Sequence, residues 1–506
     1  MHTQKKFFDS DAYFNFLFCV TLVLFVGISV FKIFFSAGLF VDPLEHLRAS
    51  YFIQKGLLPY QDFFEHHNPL LWFILAPLTK ILEGNLVIID VVRTLSVLGY
   101  FACIYLIYLI NAKFIYGKKI AKYSTLILIT LPIWNDIANL RPDILMMLCF
   151  LGALYLFYLY LEKKSFSKLA VCYTLLSISF LFLQKILFLI FGLGLIHLWL
   201  IYRKQIKIKD VFFASAVGCI PLIIFGIYLL YHGIFSSWFY YNFTFNKIMR
   251  LYYADYQSVA LPIKVLFFVS FAIIFKQYSN SAKAMPVFVL TVCNFLSLLY
   301  FFPHPQYAMP YFLMASVYFG KFFDDIKIFS RRTSFILSMT VLFISLMSSF
   351  PTYNEIKGHQ YERKTMEYIN NIESNKTIVP VTIMMYPIFR LPLSYYWFGF
   401  FNVAIADVLY TPNKYFDFNA FLKELRPDYL IHSIQIQGIT LPENMVLFHR
   451  NWFVMRNSQI IKKMREYPEL RSKLISIDAD FWSIDEKWIK ENYTKIKGTD
   501  VLKRND

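Results

Sequence analysis

The chain has 506 residues, of which 58% are hydrophobic, 20% aromatic and only 16% charged. That composition, with a mean hydropathy of +0.49, excludes an ordinary water-soluble enzyme and specifies a protein that crosses a bilayer repeatedly. The formal charge of +17 calls for no nucleic acid, because Lys and Arg in loops beside anionic headgroups orient membrane helices.

In chain order, apolar stretches fall near residues 14–38, 85–111, 120–134, 142–161, 168–182, 185–201, 211–231, 260–275, 285–302, 307–323 and 333–350. A helix crosses with roughly 17–25 apolar residues, so this predicts about eleven transmembrane helices, 120–134 and 168–182 being short for a full crossing. Cations alternate with the stretches. Lys5 and Lys6, Lys113 to Lys122, Lys163 to Lys168, Arg203 to Lys209, Lys276 with Lys283, and Lys327 to Arg332 gather on one side, and far fewer on the other. The cation-rich side is cytoplasmic by the positive-inside rule, with the N-terminus inside and everything after Pro351 outside. All six cysteines, Cys19, Cys103, Cys149, Cys172, Cys219 and Cys293, lie in or beside apolar stretches. That argues against a disulfide-stapled outer domain and against thiolate zinc.

The composition shifts near Tyr353 to alternating charged and apolar segments, which divides the chain into a membrane domain, 1–350, and a soluble domain, 351–506. EIKGHQYERKTMEYINNIES has helical spacing and TIVPVTIMM reads as a buried strand; FNAFLKELRPDYLIHSI repeats that order, and MVLFHRNWFVMRN reads as a hairpin or long strand. Residues from Gln459 onward read as polar helix. The fold class is therefore an α-helical polytopic membrane protein carrying a C-terminal extracytoplasmic α/β domain.

Acids and imidazoles crowd into the first external loop, 39–84, where Asp42, Glu45, His46, Asp62, Glu65, His66 and His67 lie close together in an otherwise apolar chain. Asp42-Pro43-Leu44-Glu45 has the order of a helix start, with Asp at the cap, Pro at the first helical position and Glu reaching back. An acid on a short helix just outside the membrane can also take a proton from a hydroxyl or amine, and the two roles compete at Asp42 because a carboxylate committed to backbone donors is a poorer base. Glu45, Asp62, His66 and His67 offer hydrogen bonds to a sugar or acceptor. Glu45, His66 and His67 are equally candidates for a divalent metal, although no HExxH or paired CxxC accompanies them, so metal and no metal stay open as alternatives. Asn68-Pro69 also reads as the opening of the next helix. The aromatic stretch Phe235–Tyr256 reads either as an interfacial belt or as a lid over a lipid chain.

The stretch from Asp42 to Pro69 resembles the first external loop of polyprenyl-phosphate-dependent glycosyltransferases of the GT-C superfamily, near the protein O-mannosyltransferases and the lipid A aminoarabinose transferases. The resemblance implies a GT-C-like membrane domain and makes Asp42 the catalytic base. The family's second acid usually follows directly, whereas here Pro43 intervenes and the next acid is Glu45. It further implies that Arg141, Lys185, His304 and Tyr307 meet the donor phosphate, with His304 standing where relatives often place Arg. Physically, Arg offers a planar fork and Lys a mobile ammonium to the charge building on a departing phosphate. The expected activity is an inverting transfer of a sugar from a polyprenyl-phosphate donor to an extracytoplasmic lipid, glycan or protein, in a bacterial inner membrane, with membrane lipids as partners, no nucleic acid and no obligatory cofactor. A lipid-linked glycan flippase or transporter, suggested by the intramembrane Lys32 and Arg93, and a glycan polymerase or ligase are the alternatives.

Overall fold

A computed structural model of the chain describes residues 11–35, 41–131, 133–134, 137–247, 261–278, 282–301, 308–327, 332–348, 350–351, 353–380, 387–393, 395, 418–431, 435–436, 439–440, 486–499 and 501–505. It is mostly helical. The first helices are α1 (Asp11–Phe35), α2 (Val41–Gln54), α3 (Leu70–Ile81), α4 (Val87–Ile110), α5 (Lys118–Thr130), α6 (Pro142–Lys163), α7 (Phe166–Phe182) and α8 (Leu187–Tyr202). They are followed by α9 (Ile208–Gly218), α10 (Ile220–Tyr231), α11 (Phe235–Phe239), α12 (Leu261–Tyr278), α13 (Met285–Phe301), α14 (Met309–Asp325), α15 (Arg332–Met347) and α16 (Tyr353–Asn370). The C-terminal part adds β1 (Ile378–Pro380), α17 (Phe418–Leu425), β2 (Tyr429–Ile431), β3 (Gln435–Ile436), β4 (Ile439–Thr440), α18 (Glu486–Asn492), β5 (Tyr493–Lys495) and β6 (Val501–Arg504).

Every stretch expected to span coincides with a helix, the 211–231 stretch with the pair α9 and α10, which divides beside Pro221, a residue without the N–H that a continuous helix uses. Among the described residues, Phe14–Phe35, Val87–Ile115, Pro142–Lys163, Gln184–Tyr202 and Ile208–Tyr231 are long and apolar enough to cross a bilayer, and Leu70–Ile81, Phe166–Phe182, Phe267–Gln277 and Met285–Leu298 are shorter apolar helices. The protein is an integral, multi-pass membrane protein.

The chain divides into two compact units, and neither is a continuous stretch. The first takes residues 1–34, 92–228 and 259–350. In it α6 and α7 form a tight helical hairpin, with Lys164 at the left-handed φ of 51° that ends α6 and Ser179 Oγ donating to Met146 O across the pair (2.7 Å). Helices α5 and α14 pack closely at Gly320, where an added Cβ would lie 2.6 Å from Ile120 O and 2.7 Å from Ser124 N. The absent side chain is what permits that approach. Two cations expected to stand out inside the membrane instead serve main-chain carbonyls: Lys32 Nζ donates to Trp134 O (3.0 Å) and Arg93 to Ile33 O (3.1 Å). Those bonds suit charges that hold helix ends and connecting segments together.

The second unit joins residues 35–91, 229–258 and 351–506. Its sheet has the order β1-β2-β6-β5, parallel between β1 and β2 and antiparallel elsewhere, while β3 and β4 pair separately. Asp428, next to β2, fastens three strands. Its Oδ2 accepts the N–H and the hydroxyl of Thr377, both at 2.9 Å; its carbonyl accepts from Arg504 N (2.9 Å); and its carboxylate faces Arg504 at 3.4 Å and Lys376 at 3.8 Å. The helix and strand order expected at the start of the tail is present in α16 and β1, and again in α17 and β2. The chain end departs from the expected helix: after α18 it folds into the β5–β6 hairpin, whose turn places Gly498 at φ +80°, a conformation that only glycine adopts without strain. MVLFHRNWFVMRN and residues 459–485 lie outside the described residues. Arg363 grips Asp90 with two parallel bonds, 3.1 and 3.0 Å, and Phe64 N–H donates to Tyr395 O (2.8 Å), so the first loop and the tail share one unit.

Two outcomes follow. Gly320→Leu forces α5 and α14 apart and lowers the melting temperature of the detergent-solubilised protein, an overpacking cost of about 1–3 kcal/mol or more. Asp428 is partly desolvated, which raises its pKa, but Thr377, Lys376 and Arg504 outweigh that and hold its carboxyl below the usual range. A depressed carboxylate stabilises the fold above its unfolded pKa and loses that contribution as pH falls through the folded value. Asp428→Asn should therefore cost about 1 kcal/mol at pH 7, and wild type and variant should converge in urea melts as pH falls through the folded pKa of Asp428.

Candidate functional site

The loop between α2 and α3 is built around two buried carboxyls. Glu45 lies one turn into α2 and is 3% exposed, and Glu65, in the extended run before α3, is fully buried. Pro59–Phe63 folds into a tight turn in which Tyr60 takes a left-handed φ of 68°, its N–H donates to Phe63 O (3.0 Å) and its hydroxyl to His67 O (2.5 Å). That turn folds Glu65, His66 and His67 back onto α2. His67 Nδ1 then lies 3.4 Å from both Glu45 Oε1 and Glu65 Oε2, His66 N–H donates to Glu65 Oε2 (3.1 Å), and the two imidazole rings are 4.0 Å apart. Four ligand atoms, one each from Glu45, Glu65, His66 and His67, fall within 4.8 Å of one another.

Burial decides the chemistry of the acids. Desolvation pushes Glu45 up to about 8, opposed by a hydrogen bond with Glu65. Desolvation and the facing Glu45 push Glu65 up to about 8, opposed by His67 and the His66 N–H. Both shifts favour the protonated, uncharged form of the two carboxyls. Apolar walls maintain that state: Phe64 packs edge-on against Tyr241 (5.2 Å) and Phe245 (5.3 Å). Trp72 Nε1 donates to His46 Nδ1 (3.1 Å), and the His46 ring meets His67 edge-on at 5.2 Å.

The aromatic stretch after α10 has a structural duty in its described part, residues 235–247. It continues α11 into a π-helical turn, Tyr240–Phe245. From it Trp238 Nε1 donates to Asn68 Oδ1 (2.9 Å) and Asn246 Nδ2 to His66 O (2.8 Å). Such single-turn widenings recur at functional sites because they shift side chains off the regular helical register. The rest of the stretch, 248–256, lies outside the described residues.

The expected site residues are distributed unevenly. Glu45, His66 and His67 come together, and Glu65 joins them. Sequence reasoning placed Glu65 in the acidic crowd but gave it no role, although its position directly before two histidines and behind two phenylalanines was the available signal. Asp62 stands apart and exposed, its Oδ2 accepting Leu58 N–H (2.7 Å) within the turn. Asp42 is the second residue of α2; its side chain lies outside the described residues, as do His304 and Tyr307.

Arg141 and Lys185 come together in the first unit, through an acid that sequence reasoning left without a role. Pro142 opens α6, with Arg141 extended just before it and Asp143 in its first turn, where a carboxylate suits the positive end of the helix dipole. Asp143 lies 3.4 Å from Arg141 Nε and 3.7 Å from Lys185 Nζ. Lys185 is placed by a short 3₁₀ turn, Gln184–Ile186, between α7 and α8. Two half-buried cations sharing one acid make a locally positive group able to meet an anion.

Residues 66–231 match the model of the family described as dolichyl-phosphate-mannose-protein mannosyltransferase. The matched segment includes His66, His67, Arg141, Asp143 and Lys185. Among solved structures the chain is similar to the crystal structure of ArnT from Cupriavidus metallidurans in the apo state, at 11% identity and a TM-score of 0.47, over 71% of this chain and 69% of that one. No curated protein sequence matches the chain significantly.

Proposed function

We propose that the protein moves a sugar from a polyprenyl-phosphate donor to an acceptor outside the cytoplasm, with inversion at the anomeric carbon and Asp42 as general base. The observation that carries this reading is the family match over residues 66–231, whose name specifies a lipid-phosphate sugar donor and which begins inside the acid and histidine loop. Asp42 is three residues before Glu45 in α2. In the reaction the acceptor O–H or N–H gives its proton to Asp42 as its heavy atom bonds to the anomeric carbon, and the carbon–oxygen bond to phosphate breaks with its electron pair on the phosphate. No second carboxyl is required as acid, because the phosphate already leaves as a stable anion. Arg141 and Lys185 meet that charge, oriented by Asp143, with His304 and Tyr307 as further donor contacts. Glu45, Asp62, His66 and His67 supply hydrogen bonds to the acceptor or sugar.

The charge asymmetry of the loops supports a cytoplasmic N-terminus, an outward-facing first loop and an extracytoplasmic domain at 351–506, in a bacterial inner membrane. The carbonyl bonds of Lys32 and Arg93 favour this reading over a transport path. In membranes supplied with radiolabelled polyprenyl-phosphate sugars, Asp42→Asn should lower transfer at least about 100-fold with unchanged protein yield, and Arg141→Gln with Lys185→Gln should raise KM for the donor. Transfer by Asp42→Asn at the wild-type rate would remove the proposed base.

A further inference from the structure

The geometry points to a separate binding site within the second unit, a cavity between the turn from α3 to α4 and the tail, which takes one neutral pyranose ring of a glycan. The cavity measures about 210 Å³. Pockets for drug-sized ligands begin at about 300 Å³, so this one has room for a single ring. Part of its lining is apolar and buried, namely Leu86, Met366, Ile369 and Ile388. The rest includes the polar side chains of Glu83, Ser374 and Arg390. None of these residues belongs to the acid and histidine cluster or to the group formed by Arg141, Asp143 and Lys185.

The polar groups are set in place by the fold. Glu83 Oε1 takes Lys55 Nζ at 2.7 Å and the Tyr51 hydroxyl at 3.3 Å, which leaves Glu83 Oε2 without a partner among the described residues. Arg390 donates from Nη1 to Glu373 O (2.8 Å) and from Nη2 to Ile372 O, with further N–H donors of its five to spare. Asn370 Nδ2 donates to Gly84 O and so joins the two walls, and Tyr51 meets Phe389, another lining residue, edge-on at 5.7 Å. Groups held in this way lose little freedom when a ligand arrives.

A pyranose ring combines apolar C–H faces with a fringe of hydroxyls that each donate and accept. The cavity supplies the counterparts: buried apolar surface, a carboxylate that only accepts, a guanidinium that only donates in a planar fork, and the Ser374 hydroxyl. A simple anion meets Glu83, a simple cation meets Arg390, and a wholly apolar ligand strands both. A zwitterion such as an ethanolamine-phosphate headgroup suits the site less well. Glu83 already has Lys55 as its counter-charge and has a free oxygen for a hydroxyl rather than need of a second ammonium.

The site does not rest on the sugar-transfer reading, and its test uses no activity. The full-length chain, purified in a non-glycosidic detergent, is mixed in turn with methyl α-D-mannopyranoside, methyl α-D-glucopyranoside and methyl β-D-galactopyranoside and followed by saturation-transfer NMR. The expected result is transfer to the ring C–H protons of at least one of them, with a Kd of about 1 mM, the strength that so small a ligand reaches. Glu83→Gln and Arg390→Gln should each weaken binding at least about 10-fold. Ser374→Leu, at an exposed position, narrows the cavity and should weaken it as well; it stands in for the first two variants should gel filtration and circular dichroism show them unfolded. Absence of transfer to all three pyranosides, transfer undiminished in the folded double variant Glu83→Gln/Arg390→Gln, or binding of O-phosphoethanolamine in their place would each overturn the assignment.

Discussion

The second unit is organised around the burial of two carboxyls against each other, Glu45 from α2 and Glu65 from the run before α3. Neither is placed there by local preference, since Glu at the start of a helix normally faces water or reaches back to its cap. The left-handed Tyr60 turn brings Glu65 to α2, the His67 ring bridges the two acids, and Trp72 and Phe64 seal the sides. Removing water from two like groups raises both pKa values. The loop can therefore hold protons there or hold a cation, but it does not hold two bare charges.

That constraint explains why distant stretches of sequence fold onto the loop. The π-helical turn at Tyr240–Phe245 and Tyr395 contribute aromatic faces and main-chain partners to residues 60–68. Arg363 anchors α16 to Asp90. The tail thereby becomes a structural companion of the first loop as well as a domain with its own sheet. Where an enzyme uses a positioned base, a fixed loop is a physical requirement, because such catalysis depends on geometry held to fractions of an ångström.

The first unit follows a different logic, in which cations are held by carbonyls and by a shared acid. Lys32 and Arg93 bond to carbonyls, and Arg141 and Lys185 share Asp143. The difference between the two pairs is in the partner. A carbonyl fixes a cation in place through a neutral dipole, whereas a carboxylate between two cations sets three charges close together in partly buried surroundings, where electrostatic interactions are stronger than in water.

Much of this was legible in the chain itself. Hydrophobic runs located the described helices that are long and apolar enough to cross, because a bilayer imposes one length and one polarity on anything that crosses it, and the punctuation of Arg141-Pro142 located a helix start because Pro is suited to the first turn. The crowd of acids and histidines pointed to the loop, and the resemblance to lipid-phosphate glycosyltransferases pointed to its chemistry. Tertiary structure decided the rest: that Glu65 rather than Asp62 belongs to the cluster, that Asp143 joins Arg141 to Lys185, and that the C-terminal end pairs as strands beside β2. These outcomes depend on which groups lose water together and which strand edge lies near, quantities set by contacts between residues far apart in the chain and invisible in local pattern.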